Sequence, residues 1–297
     1  MENIQIAKIC GLCAGCNFAI NLAIDSCKRQ PTALLKEIVH NKNINNSLKE
    51  KGIITLDNLE NIDKNLTVVI RAHGEPPETY DYLSRNDIKF LDGTCANVKA
   101  IHKLVEEKSN NDYKIVIIGK YGKNQKQMHP EVYGTAGYAK SKPIFIEDIE
   151  DVSKLSDLSN EKIFVICQTT FNPLTFELLQ DKITQICIQN NNELIIKNTI
   201  CGAQRAIQKS TLELAQNSDI MIIVGGKHSS NTLELYENIK KVCPTIHIEN
   251  INDVWSELEN NNLIISADSK IGISAGASTD KQELVKLKEN IENYLSK

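Results

Sequence analysis

Residues 89–105 read KFLDGTCANVKAIHKLV, in which a short apolar run leads into Cys95 and a helical pattern follows. Beyond the cysteine, Val98, Ile101 and Val105 recur at the spacing that puts side chains on one face of a helix. The segment therefore predicts a strand, a sharp corner at the cysteine and a helix that begins there.

The same pattern of strand, cysteine and helix occurs twice more in the chain. Residues 7–24 read AKICGLCAGCNFAINLAI, and residues 195–214 read IIKNTICGAQRAIQKSTLEL. The repeated cysteines are Cys13, Cys95 and Cys201, separated by 82 and 106 residues, each about the length of a small α/β unit. The repeat predicts three similar lobes.

Strand and helix patterns alternate along the whole chain, which predicts βαβ units, an α/β fold class and mainly parallel sheets. Several strands end in a polar loop with glycine, as in VVIRAHGEP, IVIIGKYG and MIIVGGKHSSN. We expect these carboxyl ends to face a common centre, since ligands of open α/β sheets bind at that edge. The predicted strands are 4–9, 33–39, 67–72, 114–119, 162–167, 193–198, 220–225, 245–250 and 270–275.

The predicted lobe boundaries follow the repeat. We expect the lobes to pack closely, because no low-complexity linker interrupts the chain. The predicted lobes are 1–96 with Cys13, 97–198 with His129 and Glu131, and 199–280 with Cys201, followed by a C-terminal helix or tail at 281–297.

Composition and charge argue against several classes of protein. The chain of 297 residues is 41% hydrophobic and 24% charged, as an ordinary globular protein is. Its net charge of -4 is not the basic footprint of a nucleic-acid-binding protein. No apolar run reaches the roughly 18 residues that span a bilayer, and the N-terminus has no secretory signal pattern. We expect a cytoplasmic monomer with no membrane or nucleic-acid partner.

Nine cysteines are many for such a chain, and their odd number argues against a disulfide framework. The repeated positions favour Cys13, Cys95 and Cys201 as ligands of an iron–sulfur cluster, since a helix N-terminus stabilises an anionic cluster and its thiolates. Three thiolates are one fewer than a cluster of four irons usually receives, which leaves one iron open to a substrate. Taken alone, each cysteine is better explained as a small buried residue at a corner.

Cys10, Cys13 and Cys16 form C-x-x-C-x-x-C, the beginning of a bacterial ferredoxin run. Such a run continues with a fourth cysteine and a proline, whereas this chain has Ile20 and Asn21. The ferredoxin interpretation therefore fails, and we interpret Cys10 and Cys16 as bystanders.

Histidines and neutral donors follow several of the predicted strands. The hydroxyl and amide groups of GKHSSN, CQTTFN and SAGAS, with His40 and His73, are able to surround an anion such as a diphosphate. No phosphate-binding P-loop or dinucleotide fingerprint is present, which argues against ATP and NAD. His129, Pro130 and Glu131 place a carboxylic acid beside an imidazole in a rigid turn, a pair that can relay protons. The alternative is a surface glutamate after a turn proline.

Taken together, these motifs closely resemble those of the 4-hydroxy-3-methylbut-2-enyl diphosphate reductase family, also known as IspH or LytB. The resemblance runs from residue 5 to about residue 280, with the motifs in the family's order. GLCAGC, LDGTC and NTIC are similar to its three cluster motifs, and EIVHN, AHG and HPEVYG to its histidine and glutamate motifs. QTT, SSN and AGAS are similar to its hydroxyl and amide motifs.

The resemblance implies a three-lobed fold around a 4Fe-4S cluster that Cys13, Cys95 and Cys201 ligate, with one iron not ligated by the protein. It implies reductive dehydroxylation of an allylic diphosphate to isopentenyl and dimethylallyl diphosphate, the last step of the methylerythritol phosphate pathway. A ferredoxin or flavodoxin is the implied electron donor. The implied catalytic residues are Glu131, His129 and Thr169, and the implied substrate-binding residues are His40, His73, His129, Thr169, Ser229, Ser230, Asn231 and Ser278.

The chain departs from the family pattern beside its cysteines. Ala96 stands where the family usually has proline, and residues 202–206 replace a threonine-rich stretch, with Gln204 in place of a threonine near the substrate. Cys10 and Cys16 lie outside the family pattern. These departures leave two other hypotheses open, a diverged cluster enzyme acting on a related phosphorylated alcohol and a non-catalytic iron–sulfur redox sensor. The proton relay and the anion donors favour an enzyme, because a sensor needs neither.

Overall fold

The computed structural model describes residues 3–39, 41–122, 128–227 and 229–296. Within these ranges the chain forms twelve β-strands and ten α-helices, which alternate along the sequence. The strands are β1 (Ile4–Ile6), β2 (Thr32–Leu35), β3 (Ile54–Leu56), β4 (Thr67–Ile70), β5 (Phe90–Asp92), β6 (Lys114–Ile118), β7 (Ile144–Ile146), β8 (Lys162–Cys167), β9 (Glu193–Ile196), β10 (Ile220–Val224), β11 (Thr245–Ile248) and β12 (Ile271–Ala275). The helices are α1 (Ala14–Cys27), α2 (Lys42–Glu50), α3 (Pro77–Arg85), α4 (Ala96–Asn110), α5 (Pro130–Ala136), α6 (Pro173–Gln189), α7 (Gly202–Ala215), α8 (Ser230–Ile239), α9 (Val254–Asn260) and α10 (Lys281–Leu295).

In the described part of the chain the strands form three four-stranded sheets, and every strand pairing is parallel. The strand orders are β3-β2-β4-β5, β7-β6-β8-β9 and β11-β10-β12-β1. Counted from β2, β6 and β10, each sheet has the order second, first, third and fourth strand. The predicted α/β fold class, with three similar parallel sheets, is confirmed.

The fourth strand of the last sheet comes from the beginning of the chain. β1 pairs with β12 in the register Ile4 with Ile271 and Ile6 with Ile273. Ile4 is 1% exposed, so the short strand adds apolar side chains to the core at the free edge of β12. The lobe boundaries stay a prediction. Residues 4–6, which the prediction assigns to the first lobe, pair with β12, which it assigns to the third.

The chain divides into two compact units that do not follow its sequence order. The first comprises Met1–Asn17, Glu37–Gly52 and Gly202–Lys297, and the second comprises Phe18–Lys36 and Ile53–Cys201. The first unit contains the sheet of β1 and β10 to β12, and the second contains the other two sheets.

Each unit buries a sheet face under helices that present one apolar stripe. In the first unit, Ile222 and Ile273 pack with Leu284, Leu287 and Ile291, which recur along one face of α10. The second unit repeats this arrangement where β6 and β8 pack against α6. Burying each such side chain stabilises the fold by about 1.5–3 kcal/mol before conformational entropy is counted. None of the helices in the described ranges is long and apolar enough to cross a membrane.

Nine of the strands coincide with the strands that the sequence predicts, although several are shorter at their ends. The predicted strand ranges do not include β3 and β7, and β5 is predicted only as the short run that leads into Cys95; each of the three is three residues long. Their side chains are mostly exposed or half-buried, and a run of three residues is too short to identify a strand from its pattern alone.

The corner between β5 and α4 makes a prediction about stability. A Cβ atom at Gly93 would collide with the carbonyl oxygen of Ile70 and lie 3.2 Å from the Cβ of Ala19. Because the Ile70 carbonyl is backbone and cannot turn aside, we expect Gly93→Ala to lower the free energy of unfolding by about 1–3 kcal/mol. The measurement is the urea midpoint. Gly202→Ala is the control, since nothing lies within 4 Å of its added methyl group, and equal midpoints would contradict the prediction.

Candidate active site

The three repeated cysteines occupy one topological position. Cys13 follows β1, Cys95 follows β5 and Cys201 follows β9, so each comes after the fourth strand of its sheet. Each is half-buried and directly precedes a helix, namely α1, α4 or α7. The predicted placement of these cysteines at helix starts is confirmed. Their role as ligands stays a prediction.

Backbone hydrogen bonds join the corner at Cys95 to the loop that carries His73. The Cys95 amide donates to the carbonyl of Ala72 at 3.0 Å, and Ala72 directly precedes the histidine. Cys95 is the N-cap residue of α4, and its side chain makes no capping hydrogen bond. The sulfur is therefore not used to cap the helix.

Cys201 is joined to the loop after β8 and to the first turn of α4. Its amide donates to the carbonyl of Thr169 at 2.8 Å. Its sulfur accepts a hydrogen bond from the Asn97 side-chain amide at 3.3 Å. Sequence reasoning does not find Asn97. The feature of the sequence that could have identified Asn97 is its position two residues after Cys95, in the first turn of a helix that begins at a predicted ligand.

Glu131 and Thr169, which come from different loops, form a closely hydrogen-bonded pair. The Thr169 amide and hydroxyl each donate to one oxygen of the Glu131 carboxyl group, both at 2.6 Å. The carboxyl group is buried, and this burial raises its pKa from 4.5 to about 6, although the two Thr169 hydrogen bonds oppose the shift. An acid with such a pKa is suited to releasing and regaining a proton near neutral pH.

His129 begins the helix that carries Glu131. Its Nδ1 accepts the Glu131 amide hydrogen at 3.2 Å, so the neutral ring carries its proton on Nε2. The His73 ring lies edge-on to the His129 ring, with centroids 5.4 Å apart. The structure therefore brings together His73, His129, Glu131 and Thr169 within the second unit, as sequence reasoning expects of one site.

Arg71 and Glu75, which lie on either side of His73 in the sequence, form a buried ion pair that the sequence analysis does not predict. The guanidinium of Arg71 donates to a Glu75 carboxylate oxygen at 3.0 and 3.1 Å, with the two side chains 6% and 2% exposed. The chain turns between them at Gly74, whose φ of 74° is in the left-handed region that glycine tolerates. The pair fixes the loop that presents the histidine.

In the first unit, the Cys13 loop lies on the loop that follows β12. Cys13 donates its amide hydrogen to Ala277 at 3.2 Å, and Leu12 donates to Thr279 at 2.8 Å. These bonds place the cysteine beside the segment that carries Ser278. A hydrogen bond from the Cys16 side chain, with backbone donors including the Cys16 amide, lowers the pKa of the Cys13 thiol to about 6 against the opposing effect of burial.

The predicted anion donors of the first unit lie on loops after β10 and β12, which are neighbouring strands. Ser229 caps α8 by accepting from the Thr232 amide. Within the described residues, the Asn231 Oδ1 and the Ser278 hydroxyl are buried without a hydrogen-bond partner. Buried polar atoms usually have partners, so this pair fits a polar ligand. Ser230 begins α8, and His40 lies outside the described residues.

The predicted residues thus form two groups, one in each unit. The first unit carries Cys13 with the serine and asparagine donors, and the second carries the remaining cysteines with the acid–base residues. The chemistry of the cysteine corners fits an iron–sulfur cluster. Each thiol stands at a helix N-terminus, and hydrogen-bond donors reach the sulfurs of Cys13 and Cys201.

The fold and these groups define a class of protein, a parallel α/β protein with three half-buried cysteines at helix starts and a buried carboxyl group. The comparisons with known proteins narrow that class. A model of the LytB protein family matches residues 4–292, and the chain belongs to this family. The family resemblance inferred from the sequence motifs is confirmed.

Two curated relatives match along almost the whole chain. The 4-hydroxy-3-methylbut-2-enyl diphosphate reductase of Clostridioides difficile is 33% identical over 294 residues, covering 97% of this chain and 100% of that protein. The reductase of the same name from Aquifex aeolicus is 35% identical over 298 residues, covering 98% and 96%.

Solved structures agree with the curated relatives. The chain is similar to a structure of (E)-4-hydroxy-3-methyl-but-2-enyl diphosphate reductase, the terminal enzyme of the non-mevalonate pathway, with a TM-score of 0.73, 33% identity and coverage of 98% of this chain and 99% of that one. It is also similar to the Plasmodium falciparum E-1-hydroxy-2-methyl-but-2-enyl-4-diphosphate reductase, with a TM-score of 0.83, 25% identity and coverage of 99% and 88%.

Burial of Glu131 predicts a pH dependence of stability. Its pKa is higher in the folded chain, about 6, than the usual 4.5, so between these values the folded state binds more protons than the unfolded state. The free energy of unfolding therefore falls as pH rises through this window, by about 2 kcal/mol from this group. We expect metal-free Glu131→Gln protein to lack that part of the decline. Urea titrations from pH 4 to 7 measure it, and parallel curves for the two proteins would contradict the assignment.

Proposed function

We propose that this chain reduces 4-hydroxy-3-methylbut-2-enyl diphosphate to isopentenyl and dimethylallyl diphosphate, the last step of the methylerythritol phosphate pathway. The observation that carries the proposal is the match to the LytB family over residues 4–292, supported by full-length relatives with this activity in their names. The hydrogen-bonded pair of Glu131 and Thr169 supports it further, because loss of a hydroxyl group as water requires a proton donor.

The LytB family is a family of iron–sulfur enzymes. We propose that Cys13, Cys95 and Cys201 ligate a 4Fe-4S cluster, one iron of which has no protein ligand. When bound, such a cluster supplies electrons and a Lewis-acidic iron. Support comes from the half-buried cysteines at helix starts, where backbone N–H groups and the helix dipole favour a negative charge.

The reaction consumes two electrons and two protons, replaces a carbon–oxygen bond with a carbon–hydrogen bond and releases water. Glu131 is the proposed proton donor, since its pKa of about 6 keeps part of it protonated near neutral pH. The Thr169 hydroxyl, bonded to Glu131 at 2.6 Å, is placed to pass that proton toward the substrate oxygen. His129, with its proton on Nε2, donates a hydrogen bond that orients the same oxygen.

The diphosphate group is the proposed ligand of the remaining predicted residues. The Ser278 hydroxyl is buried without a partner, and an anion would supply an acceptor for its hydrogen. Asn231, from the first turn of α8, is proposed to donate from its amide nitrogen. Ser229 caps α8 and Ser230 is its first residue, at a helix N-terminus whose backbone N–H groups favour an anion. His73 adds an imidazole donor from the loop after β4. His40, which lies outside the described residues, is proposed as a second imidazole donor on the strength of its motif.

The electrons come from another protein in this proposal. The donor is a ferredoxin or a flavodoxin. The chain works as a monomer in the cytoplasm, for which the composition and the absence of a heptad pattern are the support.

The comparisons favour the reductase over the two other hypotheses. A diverged enzyme for a related phosphorylated alcohol remains suggested by the residues after Cys201, but relatives at 33–35% identity that span the whole chain share one activity name. A redox sensor has no use for the buried pair of Glu131 and Thr169.

The proposal predicts turnover that depends on Glu131. Protein purified anaerobically and loaded with its cluster, given dithionite and the allylic diphosphate, should form both five-carbon diphosphates. Glu131→Gln should lower kcat by about 100- to 10,000-fold, because general acid catalysis contributes that much, while cluster absorbance stays the same. Glu106→Gln, a change on the exposed face of α4, is the matched control. An inactive, fully loaded wild-type protein would refute the proposed function, and normal kcat in Glu131→Gln would remove this residue from the mechanism.

The ligand assignment makes a separate prediction. Cys95→Ser should abolish the visible absorbance of the cluster and most of the bound iron, because the cluster would keep only two thiolates. Cys16→Ser should retain both, since Cys16 is not a proposed ligand. Iron analysis and absorbance spectra of the two anaerobic proteins measure the difference, and the reverse result would show that the wrong thiols have been assigned.

A further inference from the structure

Asn97 links the corner at one proposed ligand to the sulfur of another. It lies in the first turn of α4, two residues after Cys95, and its side chain is exposed. Its amide nitrogen donates to the Cys201 sulfur at 3.3 Å, within the range of hydrogen bonds to sulfur. The family resemblance assigns no role to this residue.

Cys16 has the same relation to Cys13. It lies in the first turn of α1, and its backbone amide is 3.4 Å from the Cys13 sulfur. The Cys16 side chain is also hydrogen-bonded to that sulfur. The thiol of Cys10, by contrast, donates to the carbonyl of Ala7 at 3.1 Å and is not directed at Cys13.

Hydrogen bonds to ligand sulfurs change the energy of a cluster's two redox states unequally. Reduction adds negative charge, part of which resides on the sulfurs, so a donor stabilises the reduced state more than the oxidised state. Residues beside metal ligands are known to tune a site in this way. A side-chain donor at a ligand sulfur therefore makes the cluster easier to reduce.

We propose that Asn97 and Cys16 are positioning residues that raise the reduction potential of the cluster through hydrogen bonds to the sulfurs of Cys201 and Cys13. The inference rests on the proposed function, since it requires these two cysteines to be ligands. These hydrogen bonds affect the step in which the cluster accepts electrons, because a cluster with a higher reduction potential is reduced by a weaker electron donor.

A purely structural role is the competing explanation. The Asn97 hydrogen bond would then only connect α4 to the segment before α7, and its loss would change stability without changing the potential. The exposed position of Asn97 makes it suitable for testing, since Leu has nearly the same shape and removes only the donor. Serine at position 16 retains a donor, whereas alanine does not.

The experiment is an EPR-monitored redox titration of anaerobic, cluster-loaded protein without substrate. Asn97→Leu and Cys16→Ala should each shift the midpoint potential to a more negative value, with iron content unchanged. The double variant should shift it further, because the two donors act on different sulfurs. Cys16→Ser should stay close to wild type. Asn217→Leu, on an exposed turn after α7, and Cys10→Ala are the matched controls and should not shift it.

The outcomes separate this inference from the proposed function. Unchanged potentials in both Asn97→Leu and Cys16→Ala would overturn the inference, while turnover by the wild-type protein would leave the proposed function in place. If Asn97→Leu does not retain its cluster, Asn97→Ala serves in its place, and an unchanged potential there counts equally against the role of Asn97. A shift equal to that of the control Asn217→Leu would also overturn it.

Discussion

The parallel hydrogen-bond ladder of each sheet is the constraint on which the rest of the structure depends. Parallel strands all end at the same edge of their sheet, and each connection must return over a face, so loops that leave the carboxyl ends converge. In the order 2-1-3-4 the first and third strands are neighbours whose connections leave in different directions. Loops after these strands carry His73, His129 and Thr169, and the fourth strand leads to the cysteine of each sheet. No predicted site residue follows a second strand.

The sequence predicts those strands that consist of a continuous run of apolar residues. Buried strands such as β6, β8 and β10 consist of β-branched and aliphatic residues, and the pattern alone identifies them. Short edge strands such as β3 and β7 give a weaker signal because each has only three residues. The pairing of β1 with β12 joins opposite ends of the chain, and no local pattern contains it. The strand order of the sheets explains the repeated pattern of strand, cysteine and helix better than lobes that follow one another along the chain. β1 is the fourth strand of its sheet and leads to Cys13, just as β5 is the fourth strand of its sheet and leads to Cys95.

For the candidate site, the sequence predicts residue types and positions but not their partners. Glu131 is recognisable from its motif, whereas its elevated pKa arises from burial against two opposing hydrogen bonds from Thr169. That balance depends on how the loops after β6 and β8 pack, which local sequence does not encode. The buried pair of Arg71 and Glu75 is similar, since an isolated charge near a strand end usually remains solvated.

The departures from the family pattern are concentrated in the first turns of the helices that follow the cysteines. Cys16 reaches the sulfur of Cys13 and Asn97 reaches that of Cys201. Ala96, at the first position of α4, has a backbone N–H that a proline lacks, and no residue within the helix can accept it. Cys16 and Asn97 leave the bonds between Glu131 and Thr169 untouched and place hydrogen-bond donors at two sulfurs, so they bear on reduction of the cluster, whereas Gln204 is the departure that bears on the identity of the substrate.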